Sequence, residues 1–161
     1  KNNFVAHECI LDFRDLKSKT GLSVNDLAKR LIDYSFHAPT ISWPVPETIM
    51  IEPTESESLA ELDRFCEAML LIGEEISEIE NNYELKNNNV ISNAPHTLKE
   101  LIADNWQYPY SKEKASFPYK TPTTIKFWSS VSRINNAYGD RNLICSCNVN
   151  QDETLEEKKC A

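Results

Sequence analysis

Glycine is scarce in this sequence: Gly21, Gly73 and Gly139 are the only three among 161 residues. Phosphate-binding loops and dinucleotide fingerprints need several closely spaced glycines, because their backbone must approach a phosphate group. No two of these glycines are close enough to form either motif. The sequence therefore excludes such a loop within this chain.

Long apolar runs are also missing. The longest spans about six residues, as at 68–73, whereas a transmembrane helix needs roughly 20. The chain begins Lys-Asn-Asn, without Met or an apolar signal region, so we expect a processed product or a piece of a longer polypeptide. Five widely spaced cysteines fit reduced intracellular thiols better than a disulfide scaffold. We therefore expect a soluble protein.

Negative charge is concentrated in one segment. The net charge is −8, and residues 52–80 contain ten acidic side chains against one basic side chain, Arg64. The rest of the chain is nearly neutral and has no basic cluster, so we expect neither nucleic acid nor a membrane as a partner. We interpret the acidic segment as the solvent face of a helix.

The first 52 residues predict two strands, one helix and one extended loop. Phe4–Phe13 has the pattern of a partly covered strand. Ser23 and Asp26 form a capping box for an amphipathic helix of about three turns. Three prolines within 35–46 exclude a helix there and predict a stiff loop. A short strand at Thr48–Glu52 follows.

The strongest pattern is a long amphipathic helix from about Glu55 to Glu80, in which apolar residues recur at steps of three and four. Thr54 and Glu57 predict a second capping box at its start. The segment 81–93 contains six asparagines and no apolar periodicity, which predicts a flexible linker.

The chain therefore divides into four parts. We predict a small α+β domain at 1–80, the linker at 81–93, an irregular extension at 94–150 that is rich in aromatic residues and proline, and a disordered tail at 151–161. Within the extension, we predict helices near Thr97–Asp104 and Ser111–Ala115 and a strand near Asn142–Cys147.

Histidines supply the first candidate site residues. His7 and Glu8 adjoin within the first predicted strand, so their side chains are expected on opposite faces and cannot act together on one substrate. We prefer to interpret them as residues at a surface or edge position. His37 and Thr40 lie in the stiff loop, where a functional group would be held in place. Alternatively, His37 caps the end of the preceding helix.

Metal and thiol chemistry have weaker signals. The acidic run that starts at Glu52 suggests a metal site, but helix capping explains it without one, and we predict no metal. Cys145 and Cys147, with His96 elsewhere, lack the second pair that a zinc site needs. The two cysteines are either redox-active thiols near a tail or unreactive packing residues. No catalytic triad can be assembled.

Nine segments, in chain order, carry a resemblance to a known family. They are AHECILD at 6–12, DLAKRLIDY at 26–34, FHAPTISWPV at 36–45, MIEPTESE at 50–57, AELDRFC at 60–66, NAPH at 93–96, YSKEKA at 110–115, KFW at 126–128 and YGDRNL at 138–143. Together they resemble the C-terminal end of the glycine cleavage system P-protein family, whose members are pyridoxal-phosphate-dependent glycine dehydrogenases (decarboxylating). The Asn-rich segment and the tail match least.

The resemblance implies the fold type I architecture of the aspartate aminotransferase superfamily. This chain would be its small C-terminal domain, a mostly antiparallel sheet with helices on one face, together with an extension that wraps the parent enzyme. The implied partners are the upstream pyridoxal-phosphate domain, glycine and the lipoylated H-protein, in a dimeric enzyme of the bacterial cytoplasm or of mitochondria. His37 and Thr40 are then candidates for the substrate pocket, and Cys145 and Cys147 for a redox switch.

The departure from the family pattern concerns the cofactor lysine, which in the family follows a histidine beside a glycine-rich run. None of the twelve lysines here follows a histidine. We therefore expect pyridoxal phosphate to be bound upstream, and this chain to be inactive alone. The alternative is a stand-alone acidic interaction module derived from such a domain.

Overall fold

The computed structural model describes residues 4–119 and 126–144. Their elements, in chain order, are β1 (Cys9–Asp12), α1 (Leu16–Thr20), α2 (Val24–Asp33), β2 (Thr40–Ile41), β3 (Thr48–Ile51), α3 (Leu59–Asn81), a 3-10 turn (Tyr83–Leu85), α4 (Leu98–Ile102), α5 (Lys112–Ser116) and α6 (Asn136–Arg141). No helix within these residues is both long enough and apolar enough to cross a bilayer.

The three strands form one antiparallel sheet in the order β1-β3-β2. Leu11 and Ile41 both lie opposite Ile49, whereas Ile10 and Thr40 both lie opposite Met50. Because neighbouring residues of a strand alternate between faces, these two rows lie on opposite faces of the sheet. The row with Ile49 packs into the core beside α2 and α3. The predicted antiparallel sheet with helices on one face is confirmed.

Helix α2 begins as predicted. The Ser23 backbone N–H donates to Asp26 Oδ2 at 2.7 Å, and this closes the expected capping box. Leu27 and Leu31, one turn apart, are buried to 1% and 0% exposure against the sheet and α3. The apolar stripe therefore directs this helix onto the core.

Helix α3 begins later than we predicted. Its N-cap is Ser58, whose Oγ accepts from the Glu61 N–H at 3.2 Å. The predicted Thr54–Glu57 box is wrong, because the Thr54 hydroxyl contacts Ser56 Oγ at 2.6 Å instead. Ser58 and Glu61 repeat the Ser/Thr-x-x-Glu spacing four residues farther on, and the helix uses this second start.

The first strand is shorter than predicted. It covers Cys9–Asp12, because its partner β3 also has only four residues and ends before Pro53, which has no N–H to donate to a ladder. The predicted strand at 142–147 is absent from residues 142–144, and the rest of it lies outside the described residues. The helices predicted near 97–104 and 111–115 are confirmed as α4 and α5.

The Asn-rich segment contributes to the core. Val90 and Ile91 are 3% and 0% exposed and belong to the same apolar cluster as α2 and α3. Asn89 is buried too, and its Oδ1 accepts from the N–H groups of Ile91 and Ser92 at 3.0 and 2.8 Å. This packing disagrees with the flexible character that we predicted for 81–93. The division of the chain into domains stays a prediction.

Candidate functional site

The two predicted pocket residues lie on the surface beside the sheet. His37 is exposed, and its Nδ1 lies 3.1 Å from the Ala38 carbonyl oxygen, so it does not cap α2. Thr40 is exposed and begins β2 opposite Met50. Within the described residues, no hydrogen bond joins His37 to Thr40. Both side chains are free to meet a group supplied from outside this chain.

His7 and Glu8 come together, although we predicted that they point apart. They precede β1, and His7 Nε2 lies 4.0 Å from Glu8 Oε2. With Glu52, they place three possible ligand atoms within 4.8 Å of one another. This arrangement could accept a cation or exchange a proton, but the three groups are exposed and the geometry alone assigns no metal.

The loop that joins β2 to β3 has a strained but well-fixed backbone. Ser42 and Glu47 adopt positive φ angles of 54° and 56°, which cost of order 1 kcal/mol or more for residues with a side chain. Ser42 N–H donates to the Thr48 carbonyl at 2.8 Å, and Glu47 accepts through Oε2 from the Val24 N–H at 3.0 Å, at the start of α2. These bonds hold Trp43 in an exposed position.

A buried ionic network connects α2, α3 and α5. Arg30 has 0% exposure and donates to both oxygens of Glu75, at 3.0 and 2.6 Å, and to Asp33 at 3.0 Å. It also donates to the carbonyls of Lys114 and Ala115 at 2.7 and 2.8 Å. Burial alone would lower the pKa of Arg30, but attraction by Glu75 and Asp33 outweighs it and raises this pKa. The Nε, Nη1 and Nη2 atoms of Arg30 all donate hydrogen bonds within this network, so the guanidinium links the three helices.

The same network reaches the aromatic segment through His96. Asp33 accepts from the His96 N–H and contacts its Nδ1, both at 2.8 Å, while His96 Nε2 lies 2.9 Å from the Tyr110 hydroxyl. Tyr110 stacks on Tyr108 with ring centroids 5.3 Å apart, and its carbonyl accepts from Trp106 Nε1 at 2.6 Å. Burial raises the pKa of Tyr110, so its hydroxyl stays protonated.

Lys126 attaches the segment around residues 126–128 to the C-terminal end of α2. Its Nζ donates to the Asp33 carbonyl at 2.5 Å and lies 4.9 Å from the Trp128 ring centroid. Burial lowers the pKa of Lys126 to about 8. The following Phe127 N–H donates to Ser35 Oγ at 2.8 Å. The C-terminal end of α2 therefore holds this segment.

Four of the five arginines are paired with carboxylates of this chain. Arg14 contacts Asp12, Arg30 contacts Glu75, Arg64 contacts Glu61, and Arg133 contacts Asp26. Arg141 ends α6 and is exposed.

The thiols of Cys145 and Cys147 lie outside the described residues, so their redox role stays a prediction. Within the described residues, Cys9 and Cys66 are free thiols.

The described residues do not fit pyridoxal phosphate. A phosphate-binding turn needs closely spaced glycines in a loop, but the three glycines of this chain are isolated from one another. Gly21 ends α1 with φ 82°, whereas Gly73 and Gly139 lie within α3 and α6. The structure thus offers no glycine-lined phosphate site in its described part.

The fold and these contacts define a small α+β domain, stabilised by a buried ionic network, that exposes one sheet face. Residues 1–96 match the family model described as "Glycine dehydrogenase, C-terminal domain". The chain belongs to this family.

Curated relatives extend the match beyond residue 96. "Glycine dehydrogenase (decarboxylating)" of Prochlorococcus marinus (strain NATL1A) is 61% identical over 151 residues, 94% of this chain and 16% of that protein. The protein of the same description from Thermosynechococcus vestitus is 57% identical over 148 residues, 92% of this chain and 16% of that protein. That from Vibrio parahaemolyticus is 56% identical over 147 residues, 91% of this chain and 15% of that protein. The chain spans about one sixth of the length of these relatives.

Proposed function

We propose that this chain is the C-terminal part of a glycine dehydrogenase (decarboxylating) of the glycine cleavage system and acts only with the remainder of that enzyme. The observation that carries the proposal is 61% identity to a protein of that description over 94% of the chain. The reaction converts glycine and the lipoylated H-protein into the aminomethyl-dihydrolipoyl H-protein and CO₂.

Pyridoxal phosphate would act as the electron sink when CO₂ leaves glycine. We assign this cofactor to the part of the enzyme that precedes the domain, because the three isolated glycines of this chain do not suit a phosphate-binding loop. We further propose that the domain is the small domain of a fold type I enzyme, which its antiparallel sheet and one-sided helices support.

The contribution of this chain is to position groups at the edge of the substrate pocket. His37 and Thr40 remain our candidates, since His37 is exposed between α2 and β2 and Thr40 is exposed at the start of β2. Within the described residues, Arg141 is the one arginine that forms no ion pair with a carboxylate, but it ends a short exposed helix. The parent enzyme would be a dimer, and its bacterial relatives favour the bacterial cytoplasm over mitochondria.

The test uses the longer polypeptide that contains this chain. We expect it to exchange the carboxyl carbon of glycine with labelled bicarbonate when lipoylated H-protein and pyridoxal phosphate are present. The isolated 161-residue chain should show neither exchange nor a visible absorbance band on addition of pyridoxal phosphate. Exchange by the isolated chain, or inactivity of the complete polypeptide with a bound cofactor, would contradict the proposal.

A further inference from the structure

One face of the three-stranded sheet is uncovered. Ile10, Met50 and Thr40 lie side by side across β1, β3 and β2 on this face. Ile10 is 43% exposed and Thr40 is exposed, whereas Ile49 on the opposite face has 0% exposure beneath the helices. A sheet that is covered on one face only normally carries polar residues on the other. Here β1 and β3 carry the apolar Ile10 and Met50 on this face, beside the polar Asp12 and Thr48.

The β2–β3 loop extends this apolar surface. Thr48, on the same face as Met50, is buried to 2% exposure because the loop folds over it and its Oγ1 donates to the Val45 carbonyl at 2.6 Å. In the same loop, Trp43 and Val45 are 65% and 39% exposed. We name the surface made by Ile10, Thr40, Trp43, Val45 and Met50 the outer-face patch.

The outer-face patch is held in shape before any partner arrives. The positive φ angles of Ser42 and Glu47 persist because hydrogen bonds fix both ends of the loop: Ser42 N–H donates to the Thr48 carbonyl, and Glu47 accepts from the N–H groups of Phe13 and Val24. Backbone strain of this kind is retained where a binding surface needs a defined form. An exposed tryptophan on a fixed loop is a typical anchor of an interface.

The border of the patch shows which charge a partner would bring. Glu8 and Glu52 extend the register of Cys9 and Ile51, so the two carboxylates lie opposite each other, and like charges in this position repel. Within the described ranges, no lysine or arginine forms an ion pair with either carboxylate; His7 is their nearest basic group. A partner with a basic side chain next to an apolar surface would complement this border.

The position of the patch identifies the partner. The matched family is a C-terminal domain, and this chain covers 16% of its relatives, so most of each relative precedes the matched region. β1 is the first element of the domain and an edge strand of the sheet, which means that the preceding polypeptide enters beside the patch. By contrast, Asp63, Glu78 and Glu80 of α3 are exposed on a helix that solvent can cover.

We propose that the outer-face patch is the docking surface for the polypeptide that precedes this domain in glycine dehydrogenases, and that this polypeptide supplies a basic side chain to Glu8 and Glu52. The inference rests on the proposed function in one respect, because the partner is the preceding part of the same enzyme. It predicts an interface within one polypeptide, not contact between copies.

The experiment measures maleimide labelling of the complete polypeptide, with each site read by peptide mass spectrometry so that native cysteines are resolved. Ile10→Cys and Thr40→Cys report on the patch, and Asp63→Cys, exposed on α3, is the matched control. In the native protein, we expect the two patch sites to react at least about tenfold more slowly than the control, since they label only on local opening. In urea, the three sites should react at equal rates.

Two outcomes would overturn the proposal. Equal native labelling of the patch and control sites would mean that the patch is open to solvent. Protection that disappears on dilution together with dissociation of a dimer would assign the patch to a second copy.

Oxidative footprinting of the unsubstituted polypeptide guards against misfolding of the variants. We expect Trp43 to be protected relative to Tyr83, which is 83% exposed, and equal oxidation of the two would contradict docking. Neither readout depends on activity. The docking proposal can therefore fail while the proposed function holds, and the proposed function can fail while the docking proposal holds.

Discussion

Asp33 and His96 are joined by two hydrogen bonds across 63 residues of sequence. Asp33 Oδ1 accepts from the His96 backbone N–H, and Oδ2 lies 2.8 Å from its Nδ1. On the other side of the ring, Nε2 lies 2.9 Å from the Tyr110 hydroxyl. The His96 imidazole therefore connects α2 to the aromatic segment.

Replacement of His96 should destabilise the chain strongly. His96→Ala removes one hydrogen bond each from the buried Asp33 carboxylate and the Tyr110 hydroxyl and creates a cavity beside Trp106. We expect a loss of about 2–4 kcal/mol in the free energy of unfolding, from the lost hydrogen bonds and packing. Urea unfolding followed by circular dichroism measures it.

His37→Ala is the matched control, because it makes the same substitution at an exposed histidine. Its effect should stay within about 0.5 kcal/mol, as is usual for surface positions. Equal losses for the two variants would contradict the anchoring role of His96.

Arg30 should be still less tolerant of replacement. Arg30→Met removes the bidentate contact with Glu75 and leaves that carboxylate buried beside the Tyr34 hydroxyl. We expect a loss of about 3–5 kcal/mol, the usual result of breaking one side of a buried ion pair. Thermal and urea unfolding of the variant measure it.

The double variant Arg30→Met/Glu75→Leu distinguishes an unpaired charge from lost packing. Because it removes both buried charges, we expect it to be more stable than Arg30→Met alone. If the double variant were less stable than either single variant, the cost would come from packing and not from the isolated carboxylate.

The sequence predicted most of the elements because they depend on local chemistry. Each of these signals involves residues that are close together in the sequence. Examples are the Ser23–Asp26 box, the prolines before Thr48 and the apolar repeat of α3. The start of α3 was misplaced because two consecutive Ser/Thr-x-x-Glu patterns compete, and the choice depends on the loop that precedes the helix.

The ionic network could not be predicted from the same signals. Arg30 meets Glu75 across 45 residues and the Ala115 carbonyl across 85, and no local pattern encodes such pairs. A partial signal was present in α2, where Arg30 and Asp33 sit beside the apolar stripe at a spacing of three. The approach of His7 to Glu8 was also missed, since the strand begins only at Cys9.

The start of α3 provides a prediction about capping. Ser58→Ala removes the Oγ that accepts from the Glu61 N–H, and it should cost about 1 kcal/mol of stability. Thr54→Ala, at the site that we first predicted, should change stability by less than about 0.5 kcal/mol. Urea unfolding of the two variants compares them directly, and a larger loss for Thr54→Ala would place the cap at the earlier residue.

Lys126 should give the chain a stability that rises with pH in the alkaline range. Burial lowers its pKa from 10.5 to about 8 in the folded state. Between these values the unfolded chain binds more protons at this site than the folded chain, so raising the pH favours the folded state. We expect the contribution of Lys126 to stability to increase from about pH 8 to about pH 10.5, and to be flat below this window.

The difference between two proteins isolates this contribution from the other groups that titrate at alkaline pH. Lys126→Met should lose the upward slope, whereas Lys99→Met, at an exposed position on α4, should keep it because Lys126 is still present. Urea midpoints measured at intervals from pH 7 to pH 11 supply the comparison. Parallel profiles for the unsubstituted chain and Lys126→Met would show that the ammonium group is as well solvated in the folded chain as in the unfolded one, and the contact with the Asp33 carbonyl would then not bury it.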